Sequence, residues 1–179
     1  RTPLIRAVIR DDPDRVKELI EHGADTEKMT AQKDNALSLS IISGFYEITR
    51  YLLGLNVNVN FSDSRKNTPL HLAIKNGDDD AFNLVQWLVE KGADMDHPDK
   101  NGNTPLHLAI LCEQEIFRTD KETPFRFTEY LFEKGADLNR QNDEGETPLL
   151  MISRTYNKDL FFKFIEAGAN TGTANEKGE

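Results

Sequence analysis

Thr68-Pro69-Leu70-His71-Leu72-Ala73-Ile74 returns letter for letter as Thr104-Pro105-Leu106-His107-Leu108-Ala109-Ile110. Three weaker copies are Thr2-Pro3-Leu4-Ile5-Arg6-Ala7-Val8, Asn35-Ala36-Leu37-Ser38-Leu39-Ser40-Ile41 and Thr147-Pro148-Leu149-Leu150-Met151-Ile152-Ser153. The five starts are separated by 33, 33, 36 and 43 residues. A second landmark keeps the same phase: Gly23-Ala24-Asp25, Gly92-Ala93-Asp94, Gly135-Ala136-Asp137 and Gly168-Ala169-Asn170, drifting to Asn56-Val57-Asn58 in the second repeat. Two landmarks in one register mark an internal repeat, and a period of this length belongs to stacked arrays.

One repeat can be read physically. Thr68 caps a helix and Pro69 takes its first position, where no amide donor is needed. Leu70, Ala73 and Ile74 then share one helical face. Ala7, Ala73 and Ala109, with Ser40 in the second repeat, let neighbouring helices approach closely. Leu84, Val85, Leu88 and Val89 describe a second apolar helix. Gly92 supplies the left-handed residue that ends it, and Asn56 is expected to do the same in the second repeat. An extended turn, Met95 to Asn103, returns to the next cap. No repeat can bury its apolar faces alone, so stacking supplies the core.

The pattern resembles the ankyrin repeat family, whose unit of about 33 residues opens its first helix on T-P-L-H-x-A. The resemblance covers the chain as five units, 2–34, 35–67, 68–103, 104–146 and 147–179. It implies an all-α solenoid of five helix-turn-helix units joined by extended β-turn loops. It also implies that His71 and His107 make structural hydrogen bonds to neighbouring backbone.

Two repeats carry extra residues, around Asp78-Asp79-Asp80 and within Glu113–Thr123. These insertions are expected between first and second helices, on the edge opposite the turn tips, with Thr123-Pro124 opening a second helix. Ile152 stands where the other repeats have Ala or Ser, so a local shift in stacking is expected. Arg6 stands where Leu72 and Leu108 stand, as the polar face of a first repeat would require. The last residues, Asn175 to Glu179, read like the lead-in to a sixth repeat, so the expectation is a piece of a longer protein.

Composition narrows the function classes. Apolar residues make up 37% of the 179 positions and the net charge is −9. Even with the 11 Gly added, the apolar share stays below the roughly 45–50% of ordinary globular domains. The acidic balance disfavours binding nucleic acid through phosphates. No apolar stretch approaches the roughly 20 residues of a membrane span. The single cysteine, Cys112, fits a reducing compartment, so a cytoplasmic location is expected.

No catalytic, cofactor or metal motif is present: neither a phosphate-binding Gly-rich loop nor a zincin or nucleophile-elbow signature occurs. Cys112 has acidic neighbours, Glu113 and Glu115, which oppose a reactive thiolate. Asp78–Asp80 lacks the Gly and the terminal Glu of a calcium loop. One column of the second helices reads Glu18, Tyr51, Trp87, Tyr130 and Lys163, either an exposed aromatic stripe or packing between helices.

The family resemblance places partners on the concave surface of tips and first helices. Carried over by position, that surface comprises Arg10, Ser64, Arg65, Lys75, Asn76, Lys100, Asn101, Asn103, Leu111, Asp143, Glu144 and Arg154. The middle tips read basic or polar and the fourth wholly acidic. The resemblance therefore implies a monomeric module that binds another protein, without cofactor, metal or nucleic acid. The alternative is a targeting or regulatory part of a larger enzyme or secreted bacterial effector, acting then in the host cytosol. Asn60 and Asn139, each eight residues after a Leu, resemble the asparagines hydroxylated in ankyrin substrates of asparaginyl hydroxylase.

Overall fold

The computed structural model describes residues 2–77, 79–117, 125–155, 157–175 and 178. Among them ten helices form and no strand. The chain divides into two compact bodies, Arg1–Ala93 and Asp94–Glu179. The first holds α1 (Pro3–Ile9), α2 (Pro13–Glu21), α3 (Ala36–Ile42), α4 (Tyr46–Gly54), α5 (Pro69–Asn76) and α6 (Asp79–Glu90). The second holds α7 (Pro105–Phe117), α8 (Arg126–Glu133), α9 (Pro148–Ser153) and α10 (Lys158–Glu166).

Each first helix begins where a side chain satisfies the amides that its first turn leaves open. Thr2 Oγ1 accepts from the Ile5 N–H, Asn35 Oδ1 from Ser38 and Thr147 Oγ1 from Leu150. In α5 and α7 the histidine of the motif closes the turn in reverse. The Thr68 N–H donates to His71 Nδ1 at 3.2 Å, and the Thr104 N–H to His107 Nδ1 at 3.3 Å. With Nδ1 accepting, Nε2 carries the proton, and His107 Nε2 donates to the Glu146 carbonyl at 3.0 Å. That bond is the structural one expected of this position. Burial holds the His107 imidazole below its ordinary pKa, so it stays neutral.

In the N-terminal body α1 packs on α2 and α3, α3 on α4 and α5, and α5 on α6. Leu4, Leu37 and Leu70 fill one column of this stack, and Ala7, Ser40 and Ala73 another; all six are buried. Ser40 is tolerated because its hydroxyl is partnered: it donates to the Leu37 carbonyl and accepts from Thr49 Oγ1, both at 2.9 Å. In the C-terminal body α7 packs on α8 and α9, and α9 on α10. Leu106, Ala109, Ile110, Leu149 and Ile152 form its core, each large aliphatic among them contributing roughly 1.5–3 kcal/mol of transfer free energy.

Three expectations are corrected. Asn56 is not left-handed: α4 stops at Gly54 and Leu55 leaves in extended geometry, φ −90° and ψ 173°. Buried Val59 and Phe61, two residues apart, anchor the departing chain instead. The extra residues of the fourth repeat do not all form an edge loop, because α7 continues through them to Phe117. Cys112 thus lies inside the helix rather than at its end, and Glu113 is buried. In the third repeat α6 opens at Asp79, so Asp79 and Asp80 are helical rather than loop. Asp78 and Thr123-Pro124 lie outside the described residues.

Candidate partner-binding site

The turns between repeats are built by one acceptor each. Asp63 Oδ1 accepts from the N–H groups of Arg65 and Asn67, Asp99 Oδ1 from Asn101 and Asn103, and Asn142 Oδ1 from Glu144 and Glu146. Such a bond from a short polar side chain to backbone two residues on is what makes Asp and Asn good turn formers. It freezes the tip and aims the intervening side chains outward.

In the N-terminal body the tips and the ends of the first helices meet around a hollow of about 400 Å³. Ser64, Arg65, Lys75 and Asn76, all expected from the sequence, line it, joined by Gln32, Asp34, Ile42 and Asp63. Lys75 Nζ donates to Asn67 Oδ1 at 2.6 Å. The Asn76 amide donates to the Ile41 carbonyl, tying α5 to α3. Ile42 remains 49% exposed on the floor.

The C-terminal body carries a similar hollow of about 480 Å³. Asn101, Asn103, Leu111, Asp143, Glu144 and Arg154 line it as expected, together with Gln114, Asn142 and Met151. Arg10 and Lys100 are exposed but line neither hollow. The acidic reading of this tip needs correction at one residue. Arg154 grips Glu146 with two bonds of 2.8 and 3.0 Å, and Asn175 Nδ2 adds a third at 2.7 Å. Glu146 is therefore a neutralised structural anchor, and only Asp143 and Glu144 present negative charge. The sequence signal was the spacing of eight residues between Glu146 and Arg154, which spans one short helix.

Glu113, counted in the sequence among the extra residues of the fourth repeat, serves another purpose. Its carboxylate accepts from the Phe127 N–H at 2.7 Å, the Thr128 N–H at 3.1 Å and the Thr128 hydroxyl at 2.6 Å. It thus caps α8 from another helix, where Phe125 has no capping side chain. Burial pushes its carboxyl up to about 7, outweighing these three bonds.

The aromatic column does not form a continuous exposed stripe. Tyr130 is buried and Tyr51 half-buried, while Trp87 is 36% exposed. Cations from the preceding second helix lie near two of the rings: Lys17 Nζ 6.0 Å from Tyr51 and the Arg50 guanidinium 5.6 Å from Trp87. Asn60 and Asn139 are exposed in their turns and link adjacent repeats. Asn60 Nδ2 donates to the Gly92 carbonyl at 3.0 Å, and Asn139 Oδ1 accepts from the Asn170 N–H at 2.7 Å.

No helix among the described residues is long and apolar enough to cross a membrane. No curated protein matches the chain. Family models do: residues 1–63 and 55–119 match that of ankyrin repeats in three copies, and residues 101–143 that of a single ankyrin repeat. Past residue 143 the Thr147 cap with α9 and α10 continues the same two-helix pattern. Ankyrin repeats are generally protein–protein interaction modules and typically non-catalytic. From its repeated caps, its paired helices and these matches, the chain belongs to the ankyrin repeat family.

Proposed function

We propose that the chain, one ankyrin repeat domain of five units, is a cytoplasmic, monomeric module that binds another protein through its tips and first helices. It needs no metal or cofactor, carries out no reaction, and its acidic balance does not favour nucleic acid. One observation carries this reading. In each body, rigid tips and first-helix ends enclose a hollow with a polar rim and one markedly exposed aliphatic residue, Ile42 at 49% and Leu111 at 40%. Exposed apolar groups ringed by polar ones are the usual anatomy of a protein-binding patch.

Affinity capture from lysate, comparing the wild type with the double variant Arg65→Glu/Lys100→Glu and with Glu144→Lys, tests it. The captured set should shrink with one variant or both, and slower association with a flatter salt dependence should accompany the loss. An unchanged set with both would reject the reading. As a modification of the same module, Asn60 and Asn139 are proposed hydroxylation sites, supported by their exposure in ordered turns. Intact-mass measurement after treatment with asparaginyl hydroxylase should show one added oxygen per modified site; no added oxygen ends that proposal.

A further inference from the structure

The first helices end in a column whose members differ in chemistry. The eighth position of each repeat is Ile9, Ile42, Lys75, Leu111 or Arg154, and the residue just before the cap of the last four is Asp34, Asn67, Asn103 or Glu146. Where the helix offers a cation, it binds the tip residue that stands just before its own cap, the last residue of the preceding repeat. Lys75 Nζ reaches Asn67 Oδ1, and Arg154 holds Glu146 by both guanidinium nitrogens. The column is therefore a socket in which a basic side chain satisfies a tip acceptor.

One socket has the acid and lacks the cation. Asp34 stands where Glu146 stands, but its helix supplies Ile42, which cannot neutralise it. Among the described residues Asp34 makes no ion pair, and its carboxylate meets only the Thr30 hydroxyl, at 3.5 Å. Asp63 lies close enough to act on it, and burial with that like charge holds the Asp34 carboxyl above the usual range. Both cations of the hollow leave it unpaired, since neither Arg65 nor Lys75 bridges to it and Lys75 is bound to Asn67. Asn103 with Leu111 is the remaining apolar case, and there the tip residue carries no charge.

We propose that the hollow around Asp34 and Ile42 receives an arginine or lysine side chain of the protein partner. Its charged head pairs with Asp34 and its aliphatic stem lies on Ile42, as the stems of long basic residues cover apolar surface while their heads stay polar. Arginine is the better fit, because its planar fork can take both carboxylate oxygens, as Arg154 does on Glu146. This inference rests on the chain being a protein-binding module, and it adds which side chain the partner must present.

The test uses the full chain and two variants: Asp34→Asn, which matches the residues at 67 and 103, and Ile42→Arg, which copies the Glu146–Arg154 pair across the boundary of the first and second repeats. A library of random 12-residue peptides displayed on phage is selected against wild type. The expected result is enrichment of Arg or Lys in the selected peptides, with affinity falling at least about tenfold for both variants. Ile42→Arg should also raise the urea midpoint, since the built-in arginine fills the socket, and circular dichroism should show Asp34→Asn folded. Selected peptides without a basic residue, bound equally by wild type and Asp34→Asn, would overturn the inference while leaving a protein-binding module standing. Selection of no peptide would overturn it too, and the lysate capture then judges the broader reading separately.

Discussion

Among the tip residues, one position takes a positive φ in successive repeats: Lys33 at 63°, Lys66 at 59°, Gly102 at 75° and Gly145 at 74°. The left-handed region costs a residue with a Cβ roughly 1–2 kcal/mol, and glycine almost nothing. The first two tips thus hold strained lysines where the later ones hold glycine. Lys66→Gly should stabilise the protein by roughly 0.5–1 kcal/mol, the strain relieved less the added entropy of an unfolded glycine. Gly102→Ala should do the opposite. A Cβ there would stand 2.6 Å from Asp143 Oδ1 and 2.7 Å from the Asp143 nitrogen, so about 1–3 kcal/mol should be lost. Urea midpoints of the two variants against wild type check both signs.

Helix α8 depends on a cap that its own sequence does not supply. Removing it with Glu113→Ala leaves the Phe127 and Thr128 donors without their acceptor and should cost roughly 1–3 kcal/mol. The same carboxyl makes stability pH-dependent. Its folded pKa of about 7 stands above the 4.5 of an ordinary glutamate. Between those values the native state holds a proton that the unfolded state has released. Stability from this group therefore rises as pH falls from about 7 toward 4.5, and is lost as pH climbs back. His107 acts in the opposite sense, because its lowered pKa keeps the native state neutral while the unfolded imidazole takes a proton below 6.5. Glu113→Gln retains His107, so comparison isolates the carboxyl. The urea midpoint of wild type relative to Glu113→Gln should increase steadily on acidification from pH 7.5 to 5.

At the scale of the molecule, stability is a sum of repeats and the interfaces between neighbours. Leu70 and Leu106 are fully buried, each in the stack of its own body. Truncation to alanine should cost roughly 2–5 kcal/mol at either position, because a stack of short helices closes a cavity only in part. Arg65→Glu, on an exposed tip, should change stability by less than about 0.5 kcal/mol. Denaturant unfolding of the three variants separates the core from the surface. If Arg65→Glu cost as much as Leu70→Ala, the tips would be structural rather than free to serve a partner.

The repeat register, the caps and the apolar columns are all legible in the amino-acid order alone. Each of these is local: Thr before Pro, a leucine two residues on and a small residue at the sixth position have their physical meaning within one turn of helix. That order also reveals most of the residues around the two hollows, since equivalent positions in a repeat reach equivalent places. What those residues do once they meet depends on the folded arrangement. Glu146 reads as surface acid until Arg154 is seen closing on it, and Glu113 reads as loop charge until α8 is seen ending on its oxygens. Asn56 looked like a helix stop because Gly occupies that place elsewhere, yet the chain leaves α4 before it, held by Val59 and Phe61. Charge and capping depend on through-space partners at distances of about 3 Å, and spacing along a chain does not specify those where an insertion lengthens a helix. For the same reason Asp34 is an ordinary tip acid in the sequence. Its unpaired state emerges only when Lys75 is seen bound to Asn67 and the Thr30 hydroxyl is the one group that meets its carboxylate among the described residues.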